Sequence, residues 1–137
     1  MKVVYNWLVP FQGYKAMTMW PFIFVRKDCA MREKDFNHEC IHAEQQKELF
    51  PIGVALAVGL WFVIGWWSLC FLPLFYELYV LEWIVKVFWY GELQIAYHNI
   101  SFEREAFGNE DYLGYLAKRK RFAWIGRIFG DRSGDSD

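Results

Sequence analysis

The apolar positions of this chain are gathered rather than scattered. Leu49 to Tyr76 is a run of 28 residues without a charged side chain, LFPIGVALAVGLWFVIGWWSLCFLPLFY. Within it, Pro51–Leu72 as a helix would be about 33 Å long at about 1.5 Å per residue, against a bilayer core of about 30 Å. Pro51 suits a first helical turn and Pro73 a break after the last. A second apolar stretch, Pro73 to Tyr90, carries Glu77, Glu82 and Lys86. Glu82 and Lys86 stand four apart, in the favourable order for a helical ion pair. Such a stretch crosses a membrane when its charges face a partner helix or a watery cavity, and otherwise lies in the interface. The pattern predicts an apolar helical hairpin over 51–91 with its turn near Ser68–Pro73. A buried helix of a soluble bundle is the weaker alternative, because 28 uncharged residues exceed most soluble cores.

The flanks follow other periods. Arg32 to Phe50 is polar and rich in good helix formers, with Asp28 or Asp35 to cap its start. Before it, Phe22–Arg26 and the weaker Lys15–Met19 have the aromatic and β-branched composition of strands, and Pro21 between them predicts a short N-terminal β-hairpin. Residues 112–129, YLGYLAKRKRFAWIGRIF, mix basic and aromatic side chains. The last eight, Gly130 to Asp137, are small and charged and are expected to be disordered.

Charge changes the picture twice. There are 15 basic and 16 acidic side chains, a net of −1, so a general nucleic-acid binder is disfavoured and 112–129 reads better as a segment on anionic lipid headgroups. Seven basic residues precede the apolar block and seven follow it. Equal flanks predict both termini in the cytoplasm with the hairpin between them. No cleavable leader pattern follows Lys2, and three cysteines without CxxC spacing suit a reducing compartment.

Candidate chemistry sits in the polar helix. Residues 38–42 read His-Glu-Cys-Ile-His, an HExxH motif. On a helix His38 and His42 fall on one face, one turn apart, so both imidazoles reach one metal ion, and Glu39 stands beside it as a general base. A shuffled chain of this composition would hold about 0.005 such matches. Cys40 points to the other face and reads as packing. A third ligand is needed, and the stretch after the apolar block offers His98, Glu103 and Glu105.

At this point the sequence resembles the gluzincin metallopeptidases. Their third ligand is a glutamate on a later helix, in a pattern Glu-x-x-Ala. Glu103-Arg104-Glu105-Ala106 fits, so the resemblance carries the ligand role to Glu103, with His98 and Glu105 as rivals. The likeness departs at Phe107, where an acidic or amide residue commonly supports a ligand histidine; Asn109, Glu110 or Asp111 would have to do so here. A wider resemblance, across KAMTMWPFIFVRKD, NHECIHAEQQKEL, AYHNISFEREAF and NEDYLGYLAKRKRFAW, is to small bacterial membrane-associated zincin-like proteins. It implies a metal-site design and brings no substrate.

The resemblance implies a single mainly α domain, a minimal zincin-like fold over 1–137. Residues 1–50 would hold the strands and HExxH helix, 51–91 the membrane hairpin, 92–129 the third-ligand helix and the basic aromatic segment. It further implies Zn2+ as cofactor and an integral-membrane metallopeptidase of the bacterial inner membrane, acting on a protein or peptide substrate near the cytoplasmic interface. His98, Tyr97 and Tyr112 are candidate donors to the oxyanion. A homo-oligomer could complete the cleft. If Glu103 joins His38 and His42, all three lie on one side of the bilayer, so the apolar segments cross twice or form a shallow wedge without crossing. The expectation from a different class is a non-enzymatic membrane protein whose structural zinc ties the flanks together and which regulates or recruits a partner.

Overall fold

In the computed structural model, which describes residues 1–8 and 13–129, the chain is mainly helical with one small sheet. The Gly130–Asp137 tail lies outside the described residues. Strand β1 is Lys2–Asn6, β2 Ala16–Met19 and β3 Phe22–Arg26. Along β3 the side chains alternate, and Ile23 and Val25 are fully buried, as a half-buried strand requires. β2 and β3 pair antiparallel, Thr18 opposite Ile23, through a turn with a cis Trp20–Pro21 bond. The predicted hairpin is therefore only part of the sheet. β1 adds to the other edge of β3 in parallel register, Val3 beside Ile23, giving the order β1-β3-β2. A parallel partner needs no turn next to it in sequence, so no local signal announces it.

The polar helix and the first apolar segment are one element. Helix α1 runs from Glu33 to Ile64. Asp35 receives the Arg32 backbone N–H at 3.0 Å and also pairs with its guanidinium. Those bonds outweigh the cost of burial and hold the Asp35 carboxyl at about 2. Asp28 instead pairs with Arg26. Pro51 does not begin a new helix. It has no N–H to give the carbonyl four residues back, at Lys47, and both residues are exposed. The two halves of α1 differ sharply. From Asn37 to Leu49 most side chains are buried, whereas after Phe50 only Gly53 and Ala57 are.

By length and composition, Glu33–Phe71 is one helical stretch long and apolar enough to cross a membrane. Its course, however, reverses earlier than the sequence suggests. Gly65 adopts φ 56°, ψ −131°, a region open mainly to glycine. A 3-10 segment, Gly65–Phe71, then folds back along α1. The backbone carbonyls of Phe71 and Leu72 come against Gly53, where any Cβ would collide with the first. Ala57 and Ser68 are buried along this seam.

Helix α2, Leu74–Tyr90, continues from there. Two of its three charges, Glu82 and Lys86, turn inward, while Glu77 in its first turn is exposed. Glu82 receives the backbone N–H and hydroxyl of Ser101 at 2.8 and 2.6 Å. Lys86 pairs with Glu82 at 2.9 Å and donates to the Asn99 carbonyl. Both therefore clamp the start of α4, Ser101–Asn109, which follows α3, Leu93–Asn99. Leu49, Phe75, Ile100, Phe102 and Trp124 form the main core, and Ile23, Val25 and Cys40 a second one under the sheet.

The basic aromatic segment is less of a surface strip than its composition suggests. It forms α5, Tyr115–Lys118, and a 3-10 turn, Ala123–Arg127. Trp124 packs on Phe102 with ring centres 4.5 Å apart. Arg119 is buried between Glu48 and Glu105, 2.5 Å from each. Two buried carboxylates require such a cation, since an unpaired charge there costs several kcal/mol, about 3–5.

Candidate metal centre

Helical spacing and α4 together build the centre. On α1, His38 and His42 project from one face, and their Nε2 atoms lie 3.1 Å apart. From α4, Glu103 places Oε2 3.3 Å from His38 Nε2 and Oε1 3.3 Å from His42 Nε2. One donor atom from each of His38, His42 and Glu103 lies within 4.8 Å of the others, and all three residues are buried. Among the described residues this is the group that could hold a metal ion. The rival ligands go elsewhere. Glu105 is taken by Arg119, by the Tyr115 hydroxyl at 2.9 Å and by Gln45. His98 lies against Tyr97 and Phe107, with a buried Nδ1 that has no hydrogen-bond partner among the described residues.

The outer nitrogens fix how the imidazoles present themselves. His38 Nδ1 lies 3.0 Å from Glu110 Oε2, a carboxylate that can only accept. His42 Nδ1 lies 2.8 Å from Gln45 Oε1. The Gln45 amide has no freedom to flip, because its nitrogen donates to the Phe102 carbonyl and to Glu105, each at 3.1 Å. Both Nδ1 atoms are therefore donors, so a neutral ring at either position turns its Nε2 lone pair toward Glu103. Two lone pairs and a carboxylate at 3.1–3.3 Å repel unless a cation sits among them. Ligand atoms held tetrahedrally at about 2.0–2.1 Å stand about 3.3–3.4 Å apart, so the donor set fits a small divalent ion. Among the described residues Glu103 Oε2 has no aligned hydrogen-bond donor, and Oε1 receives the Tyr79 hydroxyl at 2.7 Å.

With protons as the only cations, burial works against a charged His42, yet Glu103 more than offsets it and raises His42 to about 9. Burial works against ionised Glu103 in turn, and His42 and His38 hold it well below the usual carboxylate range. The site thus binds positive charge in one form or another, and a metal must displace a proton to enter.

Glu39 is placed by the sheet. Thr18 of β2 donates its hydroxyl to Glu39 Oε2 at 2.7 Å. A cleft of about 530 Å³ opens beside it, lined by Tyr14, Ala16, His38, Glu39, Tyr97, His98 and Phe107, among others. Tyr97 and His98 therefore face the same space as Glu39, whereas Tyr112 lies apart, half-exposed. Phe107 packs on the His38 ring at 4.6 Å, and the supporting carboxylate that its position lacks comes from Glu110. Asn37 holds that stretch by donating to the carbonyls of Asn109, Glu110 and Tyr112.

Gln45, Thr18, Tyr79 and Asn37 carry no motif in the sequence. Gln45 alone had a signal, three residues after His42 on a helical face. No family model, curated protein or solved structure matches the chain.

Proposed function

We propose that the chain is a membrane-associated zinc metallopeptidase of gluzincin type, with Zn2+ held by His38, His42 and Glu103. The observation that carries this reading is the pair of histidine nitrogens, each ring held through its outer nitrogen, facing a buried glutamate, with Glu39 beside them on an open cleft. Zinc in such a site supplies a Lewis acid and brings the pKa of a water toward 7. The chain's own residues do the rest. Glu39 accepts a proton from the attacking water and returns it to the leaving amine. Thr18 keeps the Glu39 carboxylate oriented through its 2.7 Å bond. Tyr97 and His98, on the cleft wall, are the groups placed to donate to the oxyanion.

The sheet supports a peptide as substrate. The β2 backbone groups that do not face β3 include those of Ala16, on the cleft wall. Further along, Thr18 O and Trp20 N on that edge are taken by Gln46 at 2.8 Å each. An extended chain laid on the remaining stretch would add a strand beside Glu39. Three protein donors rather than four among the described residues favour a catalytic over a structural metal.

The test is metal content of the detergent-purified chain by mass spectrometry, with peptide hydrolysis alongside. The expected result is about one zinc per chain, lost in His42→Ala and in Glu103→Ala, and kept in Glu39→Gln with hydrolysis reduced at least about 100-fold. No metal in the wild type sinks the reading. Zinc retained with no hydrolysis of any peptide, wild type and Glu39→Gln alike, favours the structural-zinc alternative.

A further inference from the structure

Large apolar side chains are exposed on the strands and near the C-terminal end as well, but half of those among the described residues lie on the part of α1 beyond Phe50, on the 3-10 return and on α2. Around the α1 extension, Leu56, Val58, Trp61, Phe62, Val63 and Ile64 are all exposed, Phe62 by 92%. Their positions run round the whole helix rather than along one face. A protein partner covers one side of a helix, whereas a helix apolar all round belongs in an apolar solvent. Trp66 and Trp67, 77% and 80% exposed, extend the same surface past the turn. No charge interrupts it, since none occurs between Glu48 and Glu77.

Length then decides the topology. From Ile52 to the reversal at Ile64 is 13 residues, about 20 Å of helix. That exceeds one leaflet, half of about 30 Å, and falls short of both. The return strand of the hairpin meets Gly53 again at Phe71 and Leu72, so the chain leaves on the side it entered. The α2 stripe of Leu81, Ile84, Val85, Phe88 and Trp89 is exposed as well, with exposed Glu77 on the same face in the first turn, while Glu82 and Lys86 turn away from it and are spent on α4. That is the face distribution of a helix lying in a membrane interface.

We infer that the chain is monotopic: the protrusion 52–72 enters a lipid bilayer from one side and ends within its hydrocarbon core, with α2 lying along the same surface. This deepens the membrane association proposed above and does not depend on the zinc reading; a chain that embeds in this way but holds no metal would defeat the peptidase proposal alone. The test places a nitrobenzoxadiazole label on Val63→Cys in a chain with Cys29→Ser, Cys40→Ala and Cys70→Ser. This protein is reconstituted in vesicles of phosphatidylcholine and phosphatidylglycerol and treated with dithionite before and after permeabilisation. The expected result is co-flotation with vesicles and a label protected in both states. A second reporter, Phe62→Glu in the otherwise native chain, is expected to weaken vesicle binding on the order of 100-fold, as a charge in hydrocarbon does. Reduction of the label only after permeabilisation would mean that the tip emerges on the far face and the hairpin crosses. Protein that stays in solution with a reactive label, or that hides the label only by forming dimers, would assign the surface to water or to a second copy. Any of these overturns the inference, as would unchanged binding of Phe62→Glu.

Discussion

At the residue scale the centre depends on atoms that do not touch the metal position. Glu110 and Gln45 each fix one histidine ring by its outer nitrogen. Such partners are typically worth 10–100-fold in metal affinity. Gln45→Leu and Glu110→Leu are each expected to weaken zinc binding by about that factor, read by competition with a chromogenic chelator. Gln45→Leu also leaves Glu105 with one donor fewer. The pH dependence of the metal-free protein has a definite sign. A His42 raised from 6.5 to about 9 in the fold adds stability that is complete below pH 6.5 and lost as pH rises through about 9. Glu103, held below its ordinary value of 4.5, adds stability above that pH and loses it on acidification. Thermal unfolding with chelator present should therefore weaken from pH 6.5 toward 9. Zinc, which needs both histidines neutral, should stabilise increasingly over the same range. The ligand histidines were legible in the sequence because HExxH encodes a helical turn. Glu103 was legible only through a resemblance. Thr18 and Tyr79 reach the site from a strand and from the second apolar segment, and nothing local marks a contact made across the fold.

At the element scale the apolar block shows what composition hides. Gly53, Gly59 and Gly65 are evenly spaced in an unbroken apolar run, and nothing in that run distinguishes them. Only Gly65 takes a positive φ, and Gly53 alone of the three is pressed against backbone. The sequence therefore predicts the reversal near Ser68–Pro73, beside the visible proline, rather than at Gly65 where the chain turns. Gly53→Val would force the Phe71 carbonyl away from α1. Overpacking of this kind costs about 1–3 kcal/mol, so the variant should unfold at lower temperature while its metal content at room temperature stays near one per chain. An equal loss from Gly59→Val, where a Cβ has open space, would contradict the close approach. The strands behaved similarly. β2 and β3 were readable from composition and the intervening Pro21, whereas β1, a parallel partner twenty residues from its neighbour in register, was not.

At the scale of the whole molecule, residues from both sides of the apolar block meet at the metal position, so the site closes a loop of some sixty residues between His42 and Glu103. Residues 54–71 of that loop do not support the site: the side chains that the loop sends toward the site and into the main core, Gln45, Leu49, Phe75, Tyr79, Ile100 and Phe102 among them, all lie outside that stretch. The stretch before α2 leaves the body at Gly53 and rejoins it at Leu72, two points in contact with each other. The protrusion is therefore a detachable appendage in the engineering sense. Replacing residues 54–71 by a short Gly-Ser turn would join points already adjacent and remove Phe62, Val63, Trp66 and Trp67 together. The shortened chain is expected to need far less detergent and, on the proposed reading, to hold as much zinc as the full chain, measured by mass spectrometry on the soluble fraction. The part of the sequence that looks most like the reason for the protein's existence would then be its mooring, separable from its chemistry.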